Sequence, residues 1–351
     1  MKKIKLGVIC GGMSTEHEVS LISAYSILKN IKKEKYEIFP IYIEKDGIWY
    51  EFEQKEDNFL MEQKINKKRE IQNVIDYLKK LDVVFPVLHG LYGEDGTIQG
   101  LLELVKVPYV GCKVLASSLG MDKAYTKIIF EKAGLEQANY AYIRVYNKNS
   151  NKYIYIDKDL DEKILELNQV LDLIINNLKY PMFVKPSNSG SSVGINKAKN
   201  KEELKKYIKY ASEFDNKILI EEAIEGRELE CAVIGNEEVI ASCVGEIKSA
   251  EDFYSYEAKY KNKKSKIQIP ADIDKCISEK IKKQAIKAFK AIDGKGLSRV
   301  DFFVQNNTNK VYINEINTLP GFTNISMYPK LFEQSGLNYE DLINRLIELA
   351  M

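Results

Sequence analysis

The chain has 351 residues, 45% hydrophobic and 29% charged, with 52 lysines plus arginines against 51 aspartates plus glutamates. That length supports two or three domains with sizeable cores, and the charge balance leaves no global field to attract nucleic acid or an anionic membrane surface. The five cysteines are scattered without a Cys-x-x-Cys pair, a pattern that fits a reducing compartment and neither a disulfide framework nor a zinc site.

No apolar run approaches about 18 residues, and the N-terminal one is too short for a signal peptide. A cytoplasmic chain with no membrane span is expected. Residues 4–10 read as a buried strand. Gly11-Gly12 and a polar loop with Glu16 and Glu18 follow, then a helical pattern over 20–32. Strand, glycine-bearing loop and helix open a doubly wound α/β unit, in which ligands sit at the carboxyl ends of the strands. Gly11-Gly12 is not the dinucleotide fingerprint, and the two glutamates also suit a helix start without any ligand.

Residues 38–43 read as a second strand and 47–50 as a turn with a short strand. The charged stretch 53–70 reads as a surface excursion. Residues 83–88 form a third strand, ending in His89-Gly90-Leu-Tyr-Gly93-Glu94-Asp95-Gly96-Thr-Ile-Gln99-Gly100. So many glycines and acids after a strand make a shaped loop. A helix over 97–105 follows. Asp122 is a helix N-cap before 124–133, with Lys123 beside it. The lysine-rich polar segment 146–162 reads as an insertion, and 168–178 as a helix.

Residues 181–195 give strand, loop, strand. The loop Ser187-Asn-Ser-Gly190-Ser191-Ser192-Val-Gly194 can cradle a triphosphate through backbone N–H groups, with Lys185 adding a charge. The spacing excludes a P-loop, and a plain surface hairpin is the alternative. An apolar strand from 218 runs into the acidic turn Glu221-Glu222-Ala223-Ile224-Glu225-Gly226-Arg227-Glu228. Segments 229–234 and 239–244 pair across Gly235-Asn236. Residues 249–265 hold three tyrosines and a phenylalanine without helical or strand period, as lids and surface loops do. Helices are expected over 274–291 and 339–349.

Between those helices, two apolar runs flank an Asn-rich turn, the pattern of a β-hairpin. Arg299 and Asp301 lie two apart on the first strand, and so do Glu315 and Asn317 on the second, so each pair shares a face. If the strands pair, two carboxylates, an amide and a guanidinium meet. Three oxygen donors without His or Cys suit a hard cation, magnesium. A solvated face with a structural salt bridge is the alternative.

The hairpin string ending Ile-Asn-Glu315-Ile-Asn317-Thr-Leu-Pro-Gly321 resembles the metal-binding segment of D-alanine–D-alanine ligases, members of the ATP-grasp superfamily. The His89–Gly100 string resembles their first signature, and the likeness extends over nearly the whole chain. It implies an α/β and α+β fold: an N-terminal doubly wound α/β substrate domain (1–112), then a two-part ATP-grasp fold. The first part (113–220) carries the phosphate loop, and the second (221–351) the adenine hinge, lid and metal site. It implies ATP and D-alanine as partners, two magnesium ions or manganese in their place, and an acylphosphate intermediate on the way to D-alanyl-D-alanine for peptidoglycan precursors. A homodimer is compatible with it.

Residue by residue, the resemblance places Glu16 on the ammonium of the first D-alanine, oriented by Ser191 and Tyr260, with His89 in that pocket. Lys123, Lys185, Lys259 and Phe253 meet the nucleotide, the backbone of Glu221, Glu222, Ala223 and Ile224 meets adenine, and Glu228 meets the ribose hydroxyls. Asp301, Glu315 and Asn317 hold metal. Arg299 and the N–H of Gly321 are oxyanion donors. Ser326 and Met327 meet the second substrate, and Met327 stands where a leucine is frequent. In the resemblance, ligases that accept D-alanine carry a Lys-Tyr pair in the lid, and those that accept D-lactate lack that tyrosine and carry a lid histidine. With Lys259-Tyr260 and no histidine after His89, the resemblance implies D-alanine as acceptor and negligible D-lactate, with D-serine the alternative.

Overall fold

The computed structural model describes residues 2–53, 65, 68–147, 150–248, 266–323 and 325–351. Its N-terminal sheet runs in the order β4-β3-β2-β1-β5. Strands β1 (Ile4–Gly11), β2 (Tyr36–Ile43) and β5 (Val83–Pro86) are parallel, while β3 (Trp49–Phe52) and β4 (Lys68–Glu70) add an antiparallel edge. Alternation along β1 sends Leu6, Val8 and Cys10 to one face, against Leu21, Ala24 and Ile27 of α1 (His17–Asn30). Ile9 goes to the other face, toward α2 (Val74–Leu78) and α3 (Thr97–Val105), where Leu78 and Leu102 are buried. Both faces are covered, as a doubly wound sheet requires. Helix α1 begins three residues earlier than the periodicity suggests, because Glu16 takes the cap position and its carbonyl accepts the Ser20 N–H at 3.0 Å.

Helices α4 (Val114–Met121) and α5 (Lys123–Lys132) follow. The expected cap is present: Asp122 Oδ1 accepts from the N–H groups of Ala124 and Tyr125, both at 3.2 Å. The middle sheet, β10-β9-β11-β6-β7-β8, is antiparallel throughout. Its strands are β6 (Tyr140–Asn147), β7 (Lys152–Ile156), β8 (Glu162–Glu166), β9 (Met182–Pro186), β10 (Asn196–Ala198) and β11 (Lys217–Glu222). The segment expected as an insertion therefore supplies sheet strands. β8 is an edge strand whose charged side chains face water, so its composition resembles a loop. Helices α6 (Leu167–Asn177) and α7 (Lys201–Ala211) bury Leu171, Ile174, Leu204 and Ile208 against one face. On the other face Ala124 of α5 packs with Leu219 and Tyr142.

The third sheet, β14-β13-β12-β15-β16, contains β12 (Gly226–Gly235), β13 (Ile240–Lys248), β14 (Lys266–Gln268), β15 (Gly296–Gln305) and β16 (Val311–Asn317). Leu229, Cys231, Val300 and Phe302 point to α8 (Lys275–Ala291), which offers Ile281, Ala285 and Phe289. Alternation then sends Glu228, Glu230, Arg299 and Asp301 to the opposite face. Helices α9 (Met327–Gln334) and α10 (Tyr339–Ala350) join this sheet to the first. Tyr328, Leu331, Leu342 and Leu346 share one core with Val8, Phe85 and Ile234. That shared core fixes the carboxyl ends of β1 and β5 opposite the polar face of the third sheet.

Candidate active site

The three sheets enclose a cleft of about 1210 Å³. Every described residue of the sequence-derived set lines it: Glu16, His89, Lys123, Lys185, Ser191, Glu221, Glu222, Ala223, Ile224, Glu228, Arg299, Asp301, Glu315, Asn317, Gly321, Ser326 and Met327. Phe253, Lys259 and Tyr260 lie outside the described residues.

The hairpin face forms as its spacing suggests. Arg299 stands opposite Asn317 and Asp301 opposite Glu315, with a register shift just after Asp301. On the other side Glu230 stands opposite Asp301. The electrostatics are tighter than spacing reveals. Arg299 Nε and Nη2 donate to Asp301 Oδ1 and Oδ2, each at 2.8 Å, and Nε lies 3.0 Å from Glu230 Oε2. Burial opposes the charge on Arg299, but Asp301 and Glu230 outweigh it and raise the guanidinium pKa further. Glu315 Oε2 is 3.9 Å from Lys123 Nζ. Asn317 Oδ1 accepts the Leu319 N–H at 3.1 Å, so this oxygen is also fixed by its own turn.

Among the described residues no three His, Cys, Asp or Glu side chains form a metal cluster. The trio here is two acids and an amide, all oxygen donors, and it fits a hard cation that keeps water or phosphate oxygens in its shell.

At the opposite wall, Ser191 Oγ donates to Glu16 Oε1. Two glycines make room for that carboxylate: a Cβ on Gly90 would come to 2.7 Å from Glu16 Oε2, and one on Gly190 to 2.9 Å. Ser191 and Ser192 have φ of 50° and 61°, a left-handed turn that folds the loop toward Glu16. The loop is tied at its base, where Ser187 Oγ donates to Asp122 Oδ1 at 2.7 Å and Lys123 Nζ donates to the Ser189 carbonyl at 2.6 Å. His89 is 4% exposed. Its Nδ1 faces the Leu319 carbonyl at 3.2 Å and its Nε2 faces Ser23 Oγ at 3.0 Å. The carbonyl requires N–H at Nδ1, so Nε2 accepts from the serine. Burial lowers the His89 pKa; Glu16 and the carbonyl oppose this without reversing it.

Three further groups were not singled out in the sequence. Glu94 sits within the signature string and receives the Gly90 N–H at 2.7 Å. Burial first, and the Glu16 charge second, push its pKa up to about 8. Glu230 shares the face of Glu228 by simple alternation. Lys127 lies one helical turn after Lys123, a position that reads as solvated, yet it is 2% exposed and 2.9 Å from Glu221 Oε2. Glu221 also accepts from Lys185. Burial would raise the Glu221 pKa, but the two ammonium groups hold it down at about 2.

The description "D-ala D-ala ligase N-terminus" matches residues 5–112, and "D-ala D-ala ligase C-terminus" matches residues 129–348. The D-alanine–D-alanine ligase of Acetivibrio thermocellus is 50% identical over 99% of this chain and 96% of its own. D-alanine–D-alanine ligase B of Clostridium tetani is 51% identical over 100% and 94%. Among solved structures, the VanG D-Ala:D-Ser ligase from Enterococcus faecalis aligns over 100% of both chains with a TM-score of 0.87 at 36% identity. The D-alanine–D-alanine ligase from Coxiella burnetii aligns over 100% of this chain and 94% of that one, with a TM-score of 0.80 at 34% identity. With both family descriptions matched in order and relatives alike from end to end, the chain belongs to the D-alanine–D-alanine ligase family.

Proposed function

We propose that the cleft joins two D-alanines to D-alanyl-D-alanine, with ATP as phosphoryl donor, for peptidoglycan precursor synthesis. The carboxylate of the first D-alanine attacks the γ-phosphorus, ADP leaves, and an acylphosphate forms. The amine of the second attacks the acyl carbon, the C–N bond forms, and phosphate departs as the amine loses a proton. Such chemistry asks the protein for position and charge more than for a nucleophile.

The observation that carries this reading is that a first-substrate carboxylate and a set of phosphate- and cation-type groups line one cleft. Glu16, held by Ser191, offers a carboxylate for the first substrate's ammonium. In the same cleft, Lys123, Lys185 and the acids of the hairpin would surround a triphosphate and its cation. Backbone groups of residues 221–224 would meet adenine, and Glu228 the ribose hydroxyls. Asp301, Glu315 and Asn317 would hold the divalent cation, two ions in our reading, which neutralises phosphate charge. Arg299 and the Gly321 N–H would stabilise the oxyanion. Ser326 would receive the second substrate's carboxylate. The parts at 1–112, 113–220 and 221–351 would supply substrate wall, phosphate loop and metal face respectively, in a cytoplasmic enzyme.

Purified protein with ATP and Mg²⁺ should release phosphate only when D-alanine is added, together with a product of dipeptide mass. Phosphate release that ignores D-alanine would sink the reading.

A further inference from the structure

Lys127 has no part in the reaction as described above. Burying an ammonium is costly unless it is paired. Among the described residues its one carboxylate partner within 4.0 Å is Glu221, which it meets through Oε2, and Lys185 takes Oε1. Two cations thus share one buried anion, and the trio carries a net positive charge. The two lysines differ in enclosure: the Lys127 side chain is 3% exposed and that of Lys185 is 11% exposed. Lys127 comes from α5 and Lys185 from β9, on either side of the β11 carboxylate.

This arrangement changes what it costs to move Lys185. If Lys185 were the sole partner of Glu221, the two would form a neutral buried pair. Drawing the lysine toward a phosphate would then leave a bare carboxylate in a dry site, a penalty comparable to breaking a buried ion pair. With Lys127 present, Glu221 keeps a counter-ion when Lys185 moves.

We propose that Lys127 is a positioning residue for the nucleotide: it remains on Glu221 as a fixed counter-ion and so frees Lys185 to engage the phosphates. The inference rests on the nucleotide reading of the cleft.

The test uses ADP binding by calorimetry, with steady-state KM and kcat for ATP alongside. Wild-type protein that fails to bind ADP would refute the nucleotide reading itself, apart from any role of Lys127. Given wild-type binding, Lys127→Met should weaken ADP at least 10-fold and raise KM for ATP similarly. KM for D-alanine should change less than 3-fold. Adding Glu221→Gln to Lys127→Met removes the charge that traps Lys185, and the double variant should recover most of the lost ADP affinity. A purely structural tie between α5 and β11 predicts the reverse, since the double variant removes both ends of it. The proposal is overturned if Lys127→Met binds ADP like wild type, or if the double variant binds no better than the single. Should Lys127→Met fail to fold, Lys127→Gln, which keeps a donor toward Glu221 but no charge, takes its place in the same cycle with the same two criteria.

Discussion

Arg299 and Asp301 clasp each other through two parallel 2.8 Å hydrogen bonds, although they sit only two residues apart on one strand. In the proposed reaction this pair would take two separate roles, Arg299 as oxyanion donor and Asp301 as metal ligand. Glu230, 3.0 Å from Arg299 Nε, would keep the guanidinium paired if Asp301 held a cation.

Asp301 and Glu315 should therefore fail differently. Glu315→Gln should nearly abolish turnover and remove most of the Mg²⁺ dependence of nucleotide binding, with little change in Tm. Asp301→Asn should also abolish turnover, and it should destabilise as well, because it strips one partner from a largely buried guanidinium. Removing one member of such a pair costs about 3–5 kcal/mol when fully buried. Here the side chains are 17% and 14% exposed, so the lower part of that range is expected. Ligation near the wild-type rate by Glu315→Gln at equal Mg²⁺ would remove Glu315 from the ligand set. Equal Tm for the two variants would refute the dual role of Asp301.

The hairpin face with Arg299, Asp301, Glu315 and Asn317 was legible because polar residues interrupt apolar strands at even spacing, and period two leaves no choice of face. Lys127 was not legible, because a lysine at i+4 from another lysine on a helix looks solvated until a second sheet lands on it. Strand β8 was hidden by its own charge: Glu162, Lys163 and Glu166 point to water from a sheet edge. Helix α9 was masked by Pro329, which sits in the first helical turn, where a missing N–H does no harm. The first strand and the Asp122 cap were readable because local sequence decides them. The Arg299–Glu230 contact depends on a register across β12 and β15, which no local pattern sets.

The Glu16–Ser191 link predicts a split in binding constants. Glu16→Ala should mainly weaken the tighter D-alanine, by the 1.5–3 kcal/mol typical of a charged hydrogen bond, or about 10- to 150-fold. Ser191→Ala should act in the same direction and more weakly, since it loosens the carboxylate without deleting it. ADP affinity should barely move in Glu16→Ala. Equal weakening of ADP and D-alanine by that substitution would assign Glu16 to folding instead.

Glu94 should impose a pH dependence on stability. Its carboxyl has an ordinary value of 4.5 when unfolded and about 8 in the folded protein. Between those values the folded state holds a proton that the unfolded state has lost, so stability falls as pH rises through the window and levels off above pH 8. Glu94→Gln cannot lose a proton and still accepts the Gly90 N–H. The variant should stay close to wild type near pH 5 and gain on it by roughly 4 kcal/mol by pH 8.5. Urea unfolding at a series of pH values measures the difference. Parallel curves for the two proteins would show that Glu94 is ionised in the folded state.

The acceptor is the remaining choice. In the proposed reading Gly321, Ser326 and Met327 would wall its site; there the Thr323 N–H donates to Ser326 Oγ at 3.0 Å and the Thr323 hydroxyl meets the same atom at 2.8 Å. Met327 follows at the start of α9, 6% exposed. A thioether offers an added hydroxyl no strong donor or acceptor, so D-serine gains little over D-alanine. Yet a pocket of this kind rejects an extra hydroxyl by only about 100-fold. The relatives that are 50% and 51% identical are named D-alanine–D-alanine ligases, while the D-Ala:D-Ser ligase at 36% and a D-alanine–D-alanine ligase at 34% stand at similar distance. In a competition with ATP, Mg²⁺, D-alanine and equimolar D-serine, mass analysis should find D-alanyl-D-alanine dominant and the mixed dipeptide minor. With D-lactate, ester should be negligible, because no histidine follows His89 in the chain. Met327→Ala should raise the mixed D-alanyl-D-serine share several-fold by opening the wall, while leaving the first D-alanine's KM unchanged. A dominant mixed dipeptide from the wild-type enzyme would overturn the acceptor assignment, and D-alanyl-D-lactate would overturn the histidine argument with it.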